Sequence, residues 1–421
     1  MRFLFTAILL FATSAHSQGA DYTMNPADYC GNGVAKVQVS LYPGHEGSPK
    51  FTLSYKYFGN GNPSSTTVIV LPGGPGDTLL NPAVHSPTEA FPYGAVPTSL
   101  NIIYTEPRGL GCNQLAQGDF PFDAFKTSYI ASDILEIIKD RKLDNYILYG
   151  ASFGTVVATY VASQADAAGV PAPKAVVLEG TFGRGVPGKF DEYIGGFSQE
   201  WEKTKLQLSP QLAAAFTKDP LPLGFAANVW GSYIFWQLIT YGPGMIKYSP
   251  LVHANETPPN PALKSALTTY AVLAQLPVSE RITRIFQTIG CQELFGAWKP
   301  DVILKDGKLF GSGEDICTGF TYLPYDSAKL NITSPIFYFQ GPDDPATPLT
   351  SARYHFENQI HTNRALNTVG SASHASLSLV LRSLGCSDNV WAQIASNPSQ
   401  MNLDFSSCKG WPISTAVKTA Q

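Results

Sequence analysis

The residues best placed to do chemistry are Gly150-Ala151-Ser152-Phe153-Gly154. They set a serine between two glycines where an apolar run, Asn145 to Tyr149, gives way to a helical one, Val156 to Ala162. A strand-to-helix turn at that point forces an unfavourable backbone conformation on Ser152 and leaves its hydroxyl exposed above a sheet as a nucleophile. The glycines leave room for neighbouring chain to pass close by. A Gly-x-Ser-x-Gly arising by chance in a loop would lack the strand before it and the helix after it.

A serine hydroxyl reacts poorly until a base takes its proton, and the base must itself be oriented by an acid. Following a strand-turn-helix serine, the acid is expected first and the histidine second, each just beyond a later strand. The apolar run Ile336 to Phe339 leads into Gly341-Pro342-Asp343-Asp344-Pro345-Ala346-Thr347-Pro348, so one of two adjacent aspartates fits the acid. The run Ala365 to Val369 leads into Gly370-Ser-Ala-Ser-His374, which makes His374 the best placed of seven histidines. The others sit less well. His16 is in the leader, His45 and His85 precede the serine, His253 lies in the central segment, and His355 and His361 fall within or just after a helix.

An oxyanion needs main-chain donors. The N–H of Phe153 is one, and the glycine-rich turn Leu71-Pro72-Gly73-Gly74-Pro75-Gly76 offers the second at Gly74. As a phosphate loop that turn lacks a GKS or GKT ending, so nucleotide binding is not expected, and no cofactor or metal is implied.

Those residues need a scaffold. Short apolar runs recur at Ala35 to Leu41, Phe51 to Phe58, Thr67 to Leu71, Asn101 to Tyr104, Tyr146 to Tyr149, Ala175 to Leu178, Ile336 to Phe339 and Ala365 to Val369. The first two alternate as antiparallel strands do, and the rest read as strands buried on both faces. The expectation is an α/β fold with an eight-stranded, mostly parallel sheet, flanking helices and an inserted, mainly helical cap. Ile134, Leu135, Ile137 and Ile138 give one apolar stripe, a helix covering the sheet just before the serine's strand. From 181 to 334 the strand pattern lapses into aromatic-rich amphipathic stretches, including Phe197, Trp201, Tyr233, Phe235, Trp236, Phe286 and Trp298. The expected division is a leader at 1–17, the first part of the core at 18–180, the cap at 181–334 and the second part of the core at 335–421.

Taken together these blocks resemble the α/β-hydrolase fold, and within it the proline iminopeptidase and tripeptidyl aminopeptidase family of serine exopeptidases. The likeness is carried by GGPG at Gly73 to Gly76, PRGLG at Pro107 to Gly111 beside the family's DQRGxGxS, GASFG at Gly150 to Gly154, and GPDDPATP at Gly341 to Pro348 beside its GxxDPxTP. The resemblance implies Asp344 as the acid. It also implies that cap carboxylates bind the free amino terminus of a peptide substrate. Cys291-Gln292-Glu293 is similar to a Cys-x-Asp/Glu motif late in the cap of the secreted tripeptidyl members, which points to Glu293, with Glu179 at the end of the sixth strand as a second candidate. The chain departs from the family at Pro72, where a histidine precedes GGPG, at Glu106-Pro107, where the family has Asp-Gln, and at Ser371-Ala-Ser373, where the approach to the histidine is rich in glycine.

The first 17 residues carry Met1-Arg2, an apolar stretch Phe3 to Ala12 and a small-x-small site, Ala15-His16-Ser17, as a secretory signal does. The apolar stretch is half the about 20 residues a membrane span needs. Export makes disulfides the expectation for the six cysteines. Proximity along the chain pairs Cys291 with Cys317 and Cys386 with Cys408, leaving Cys30 for Cys112. No CxxC or histidine-rich spacing supports zinc. Sequons stand at Asn255 and Asn331. Charged residues make up only 14% of the chain and the net charge is −4, which excludes a basic nucleic-acid surface.

Three functions follow from these features. The first is a secreted or periplasmic serine aminopeptidase. The second is a carboxylesterase or lipase using the same triad. The third is a silent binding protein on the same scaffold, a class that commonly lacks a triad member.

Overall fold

The structure is a computed structural model that describes residues 34–62, 64–80, 96–114, 121–186, 190–258, 260–278 and 283–421. The leader, Cys30 and His85 lie outside the described residues.

Strands β1 (Val34–Ser40) and β2 (Lys50–Phe58) pair antiparallel, and β2 pairs antiparallel with β4 (Asn101–Thr105). From there β3 (Thr67–Leu71), β5 (Tyr146–Ala151), β6 (Ala175–Glu179), β9 (Ile336–Gln340) and β10 (Arg364–Val369) continue the sheet in parallel. The order is β1-β2-β4-β3-β5-β6-β9-β10-β11, nine strands rather than the eight expected. The additional strand, β11 (Ile413–Lys418), pairs antiparallel with β10, and most of it faces solvent. An edge strand without a buried face carries no hydrophobic alternation to read.

The central strands are apolar on both faces because both faces are covered. On one side Ile69, Leu148, Val176 and Tyr338 pack beneath helices α1 (Thr127–Arg141) and α2 (Phe153–Gln164). On the other, Val70, Tyr149, Val177 and Phe339 share a core with Trp391 and with Phe197, Trp201 and Trp230. Those last three belong to the segment between β6 and β9. It contributes helices α3 (Phe190–Lys205), α4 (Ala227–Thr240), α5 (Pro261–Leu273) and α6 (Arg284–Ile289), and a hairpin of β7 (Asp301–Lys305) and β8 (Lys308–Ser312). Most of its large aromatic side chains are spent on its own core. Phe197 stacks on Phe235 with ring centres 4.2 Å apart, and Trp201 and Trp230 both meet Phe216 edge-on.

Two of the expected disulfides are present, Cys291–Cys317 and Cys386–Cys408. Among the described residues, no helix is long and apolar enough to cross a membrane.

Candidate functional site

The turn between β5 and α2 places Ser152 at φ 55° and ψ −124°, a conformation that costs a non-glycine residue roughly 1–3 kcal/mol. Its hydrogen bonds hold it there. The Ser152 N–H donates to the carbonyl of Glu179 at 2.8 Å, while the Ser152 carbonyl accepts from the N–H of Thr155 at 2.9 Å and its hydroxyl at 2.6 Å. The glycines are required by contact. A Cβ on Gly150 would lie 2.3 Å from the carbonyl oxygen of Gly154, and one on Gly154 would lie 2.1 Å from that of Leu71. The second contact also sets the first turn of α2 against the loop after β3.

In that loop Gly74 has φ +101°, and a Cβ there would fall 2.3 Å from the nitrogen of Gly76, so only glycine fits the turn. Phe153 is the first residue of α2, and its N–H is among those that an α-helix leaves without an intrahelical acceptor. The start of α2, which carries Phe153, thus packs against Leu71 and Pro72, the residues that lead into the Gly74 turn.

Of the two adjacent aspartates, Asp344 is the one paired with His374. The Asp344 carboxylate accepts from Gln340 Nε2 at 3.0 Å, from the N–H groups of Ala346 and Thr347 at 2.9 and 3.0 Å, and from the Thr347 hydroxyl at 2.6 Å. Its Oδ2 also lies 2.8 Å from His374 Nδ1. Asp343 points elsewhere, toward Lys203 at 3.8 Å.

With a carboxylate acceptor at Nδ1, the imidazole carries its proton there and leaves Nε2 free to act as a base. His374 rests on Gly180, at φ +60°, where a Cβ would lie 2.6 Å from the imidazole Cε1. Burial pulls the imidazole pKa down. The adjacent Asp344 charge and hydrogen bond, with smaller effects from Glu179 and Asp77, outweigh it and raise the value above that of an ordinary histidine. Ser152 and His374 therefore both meet one peptide segment, Glu179–Gly180, the first through a hydrogen bond to the Glu179 carbonyl and the second by occupying the space a Gly180 side chain would need. The Ser152 hydroxyl makes no hydrogen bond among the described residues.

Strained serine in a strand-to-helix turn, acid after a later strand, histidine after the next: that order on a sheet wound β1-β2-β4-β3-β5-β6 decides the architecture. This is the α/β-hydrolase fold.

No protein-family profile and no curated protein matches the chain. Solved structures that resemble it include an alpha/beta hydrolase enzyme from a Medee basin deep-sea metagenome library, at 12% identity and TM-score 0.47 over 84% of this chain and 97% of that one. A serine hydrolase from Cycloclasticus zankles matches at 14% identity and TM-score 0.46 over 87% and 100%. An esterase from Rhodococcus sp. matches at 13% identity and TM-score 0.43 over 88% and 100%.

Of the two carboxylates suggested for substrate, Glu179 is engaged through both oxygens within the fold and Glu293 through one. Glu179 is buried and accepts from the N–H groups of Leu377 and Ser378 at 2.7 and 2.9 Å, from the Ser378 hydroxyl at 3.0 Å, and from the Tyr149 hydroxyl. Glu293 follows Cys291 of the disulfide and accepts from the N–H of Thr127 at 3.0 Å, satisfying a donor at the start of α1. Its other oxygen is buried without a hydrogen-bond partner among the described residues, and burial raises its pKa.

Arg108 of the PRGLG segment is structural. Fully buried, it grips Asp133 with two bonds of 2.6 and 2.9 Å and donates to the carbonyls of Ser40, Leu41, Ala124 and Tyr129.

Three neighbours of the acid were not found by sequence reasoning. Thr347 shares its hydroxyl between Asp344 and His374, at 3.0 Å from Nδ1. Its signal was present, a hydroxyl three residues beyond the aspartate, a spacing at which side chains bond locally. Tyr193 and Glu200 come from α3 and lie within electrostatic reach of Asp344. Nothing in the sequence ties that helix to the acid.

Proposed function

We propose that the protein is a secreted serine aminopeptidase that hydrolyses peptide bonds near a free amino terminus through an acyl-enzyme. The observation that carries the hydrolase part is the 2.8 Å pairing of His374 with Asp344, together with a serine held at positive φ whose N–H bonds the residue preceding Gly180 under the imidazole. Ser152 attacks the carbonyl carbon while His374 Nε2 takes its proton. Asp344 holds the imidazole in the productive tautomer, and the N–H groups of Phe153 and Gly74 receive the oxyanion. His374 then protonates the leaving amine, and a water activated by the same imidazole releases the acyl group.

The aminopeptidase part is supported by the motif resemblance and by buried carboxylate oxygens left without a partner among the described residues, on Glu293 and on Glu200. Such an oxygen can accept from an ammonium group and would be starved by an acylated amine. Export is supported by the sequence of the leader and by the two disulfides, which persist in oxidising compartments. The segment 181–334 would act as a cap over the site, with 18–180 and 335–421 forming the core.

A carboxylesterase is the second reading, because the same triad cleaves esters. Free and N-acylated aminoacyl arylamides, compared with p-nitrophenyl esters, separate the two. The aminopeptidase turns over only the free-amino arylamides efficiently, and equal rates on free and acylated substrates would contradict it.

A further inference from the structure

Glu179 is a buried acid whose two ends touch both halves of the candidate machinery. Its main-chain carbonyl accepts the Ser152 N–H at 2.8 Å. Its side chain accepts from Leu377 and Ser378, three and four residues past His374, where the chain opens the helical turn Ser376–Leu381. The residue after it, Gly180, forms the floor under the imidazole. Burial raises the Glu179 pKa, and the bonds from Tyr149, Ser378 and Leu377 oppose that rise; those partners, two N–H groups and two hydroxyls, all donate and so suit the ionised carboxylate, which only accepts. A negative group at the first N–H groups of a helical turn is also favoured by their partial positive charge.

We infer that Glu179 is a positioning residue. It fixes the spacing between the serine turn and the histidine loop, and it supplies a second negative charge behind the imidazole that favours the imidazolium formed when Ser152 loses its proton. This rests on the hydrolase reading of the triad. The charged groups facing His374 are Asp344 from the loop after β9, Glu179 from β6 and Asp77 from the loop after β3. Of these, Asp344 orients the ring directly through Nδ1. Glu179 works through the main chain and through its charge.

A fluorophosphonate that phosphonylates activated serines tests this, with its rate followed against pH in the native protein and in Glu179→Gln. Glutamine keeps the shape and one strong acceptor but removes the charge. Labelling of the variant is expected to slow by about tenfold or more. Its acid midpoint is expected to move lower by about half a pH unit, since the imidazolium loses a stabilising neighbour. A variant that labels at the native rate, or more slowly with an unmoved midpoint, overturns the proposal. If Glu179→Gln loses its native circular dichroism, Ser378→Ala deletes one donor and keeps the charge. It is expected to slow labelling by about two- to fivefold without lowering the midpoint, because the histidine loop loses an anchor. A native rate in that variant overturns the proposal equally. A folded native protein that the probe fails to label removes the hydrolase reading itself, and the role of Glu179 with it.

Discussion

The main-chain N–H of His374 donates to the carbonyl of Ile239 at 3.1 Å, joining the histidine loop to the C-terminal turn of helix α4. The preceding residue repeats the link, with the Ser373 hydroxyl donating to the Leu238 carbonyl at 2.5 Å. The segment between β6 and β9 thus takes part in placing the imidazole.

Gly244, just past α4, lies where a Cβ would sit 2.4 Å from that of Ser371. Gly244→Ala should therefore displace the loop that carries His374. Turnover is expected to fall by about 10- to 100-fold, while thermal unfolding shifts little. Steady-state kinetics alongside a melting curve checks this, and native turnover would contradict it.

Asp344→Asn tests the acid. The four donors around Asp344 and the proton on His374 Nδ1 all require an acceptor, and an amide presents two hydrogens to that cage. The imidazole is expected to adopt the wrong tautomer, lowering kcat by about 1,000- to 10,000-fold. Asp343→Asn, in the neighbouring position, should cost far less, and equal losses in the two variants would reject the assignment.

The pH dependence of activity follows from the raised pKa of His374. Only the neutral ring can take the serine proton, so kcat/KM should climb with pH through a midpoint above 6.5, the ordinary histidine value that the Asp344 charge displaces. The same shift favours the folded state at low pH and loses that contribution as pH rises through the folded-state value. A pH–rate profile with its acid limb centred below 6.5 would contradict this account.

His355 behaves in the opposite sense. Fully buried between the Thr159 hydroxyl at 2.9 Å and the Tyr338 hydroxyl at 2.7 Å, it is pushed down to about 3 by burial. The unfolded chain binds this proton near 6.5 and the folded one does not, so stability should fall as pH drops below 6.5. The slope is about 1.4 kcal/mol per pH unit for one such group. Denaturant unfolding of the native protein and His355→Gln between pH 4 and 7 measures it, with a shallower slope expected in the variant.

How far the sequence revealed this structure depends on how local each feature is. The Ser152 turn was legible because its residues lie within five positions, Gly150 to Gly154, although the contact that demands Gly154 comes from distant Leu71, and the candidate acid and histidine were legible because each follows a buried strand. The strand β11 was not, since an exposed edge carries no burial pattern. The β7–β8 hairpin was readable but missed. Asp306-Gly307 sits between its strands with both residues at positive φ, a strong short-range hairpin signal overlooked in a segment expected to be mainly helical. Glu179 was legible as a carboxylate ending a strand. Its bonds to Leu377 and Ser378 span nearly 200 residues of chain and exist only once the sheet has formed.

The claim on which the rest depends is that Ser152 forms the covalent intermediate. Mass spectrometry of the native protein after fluorophosphonate treatment should place a single adduct on the peptide containing Ser152, and Ser152→Ala should show neither adduct nor turnover while keeping its fold. An adduct located elsewhere, or undiminished hydrolysis by Ser152→Ala, would contradict it.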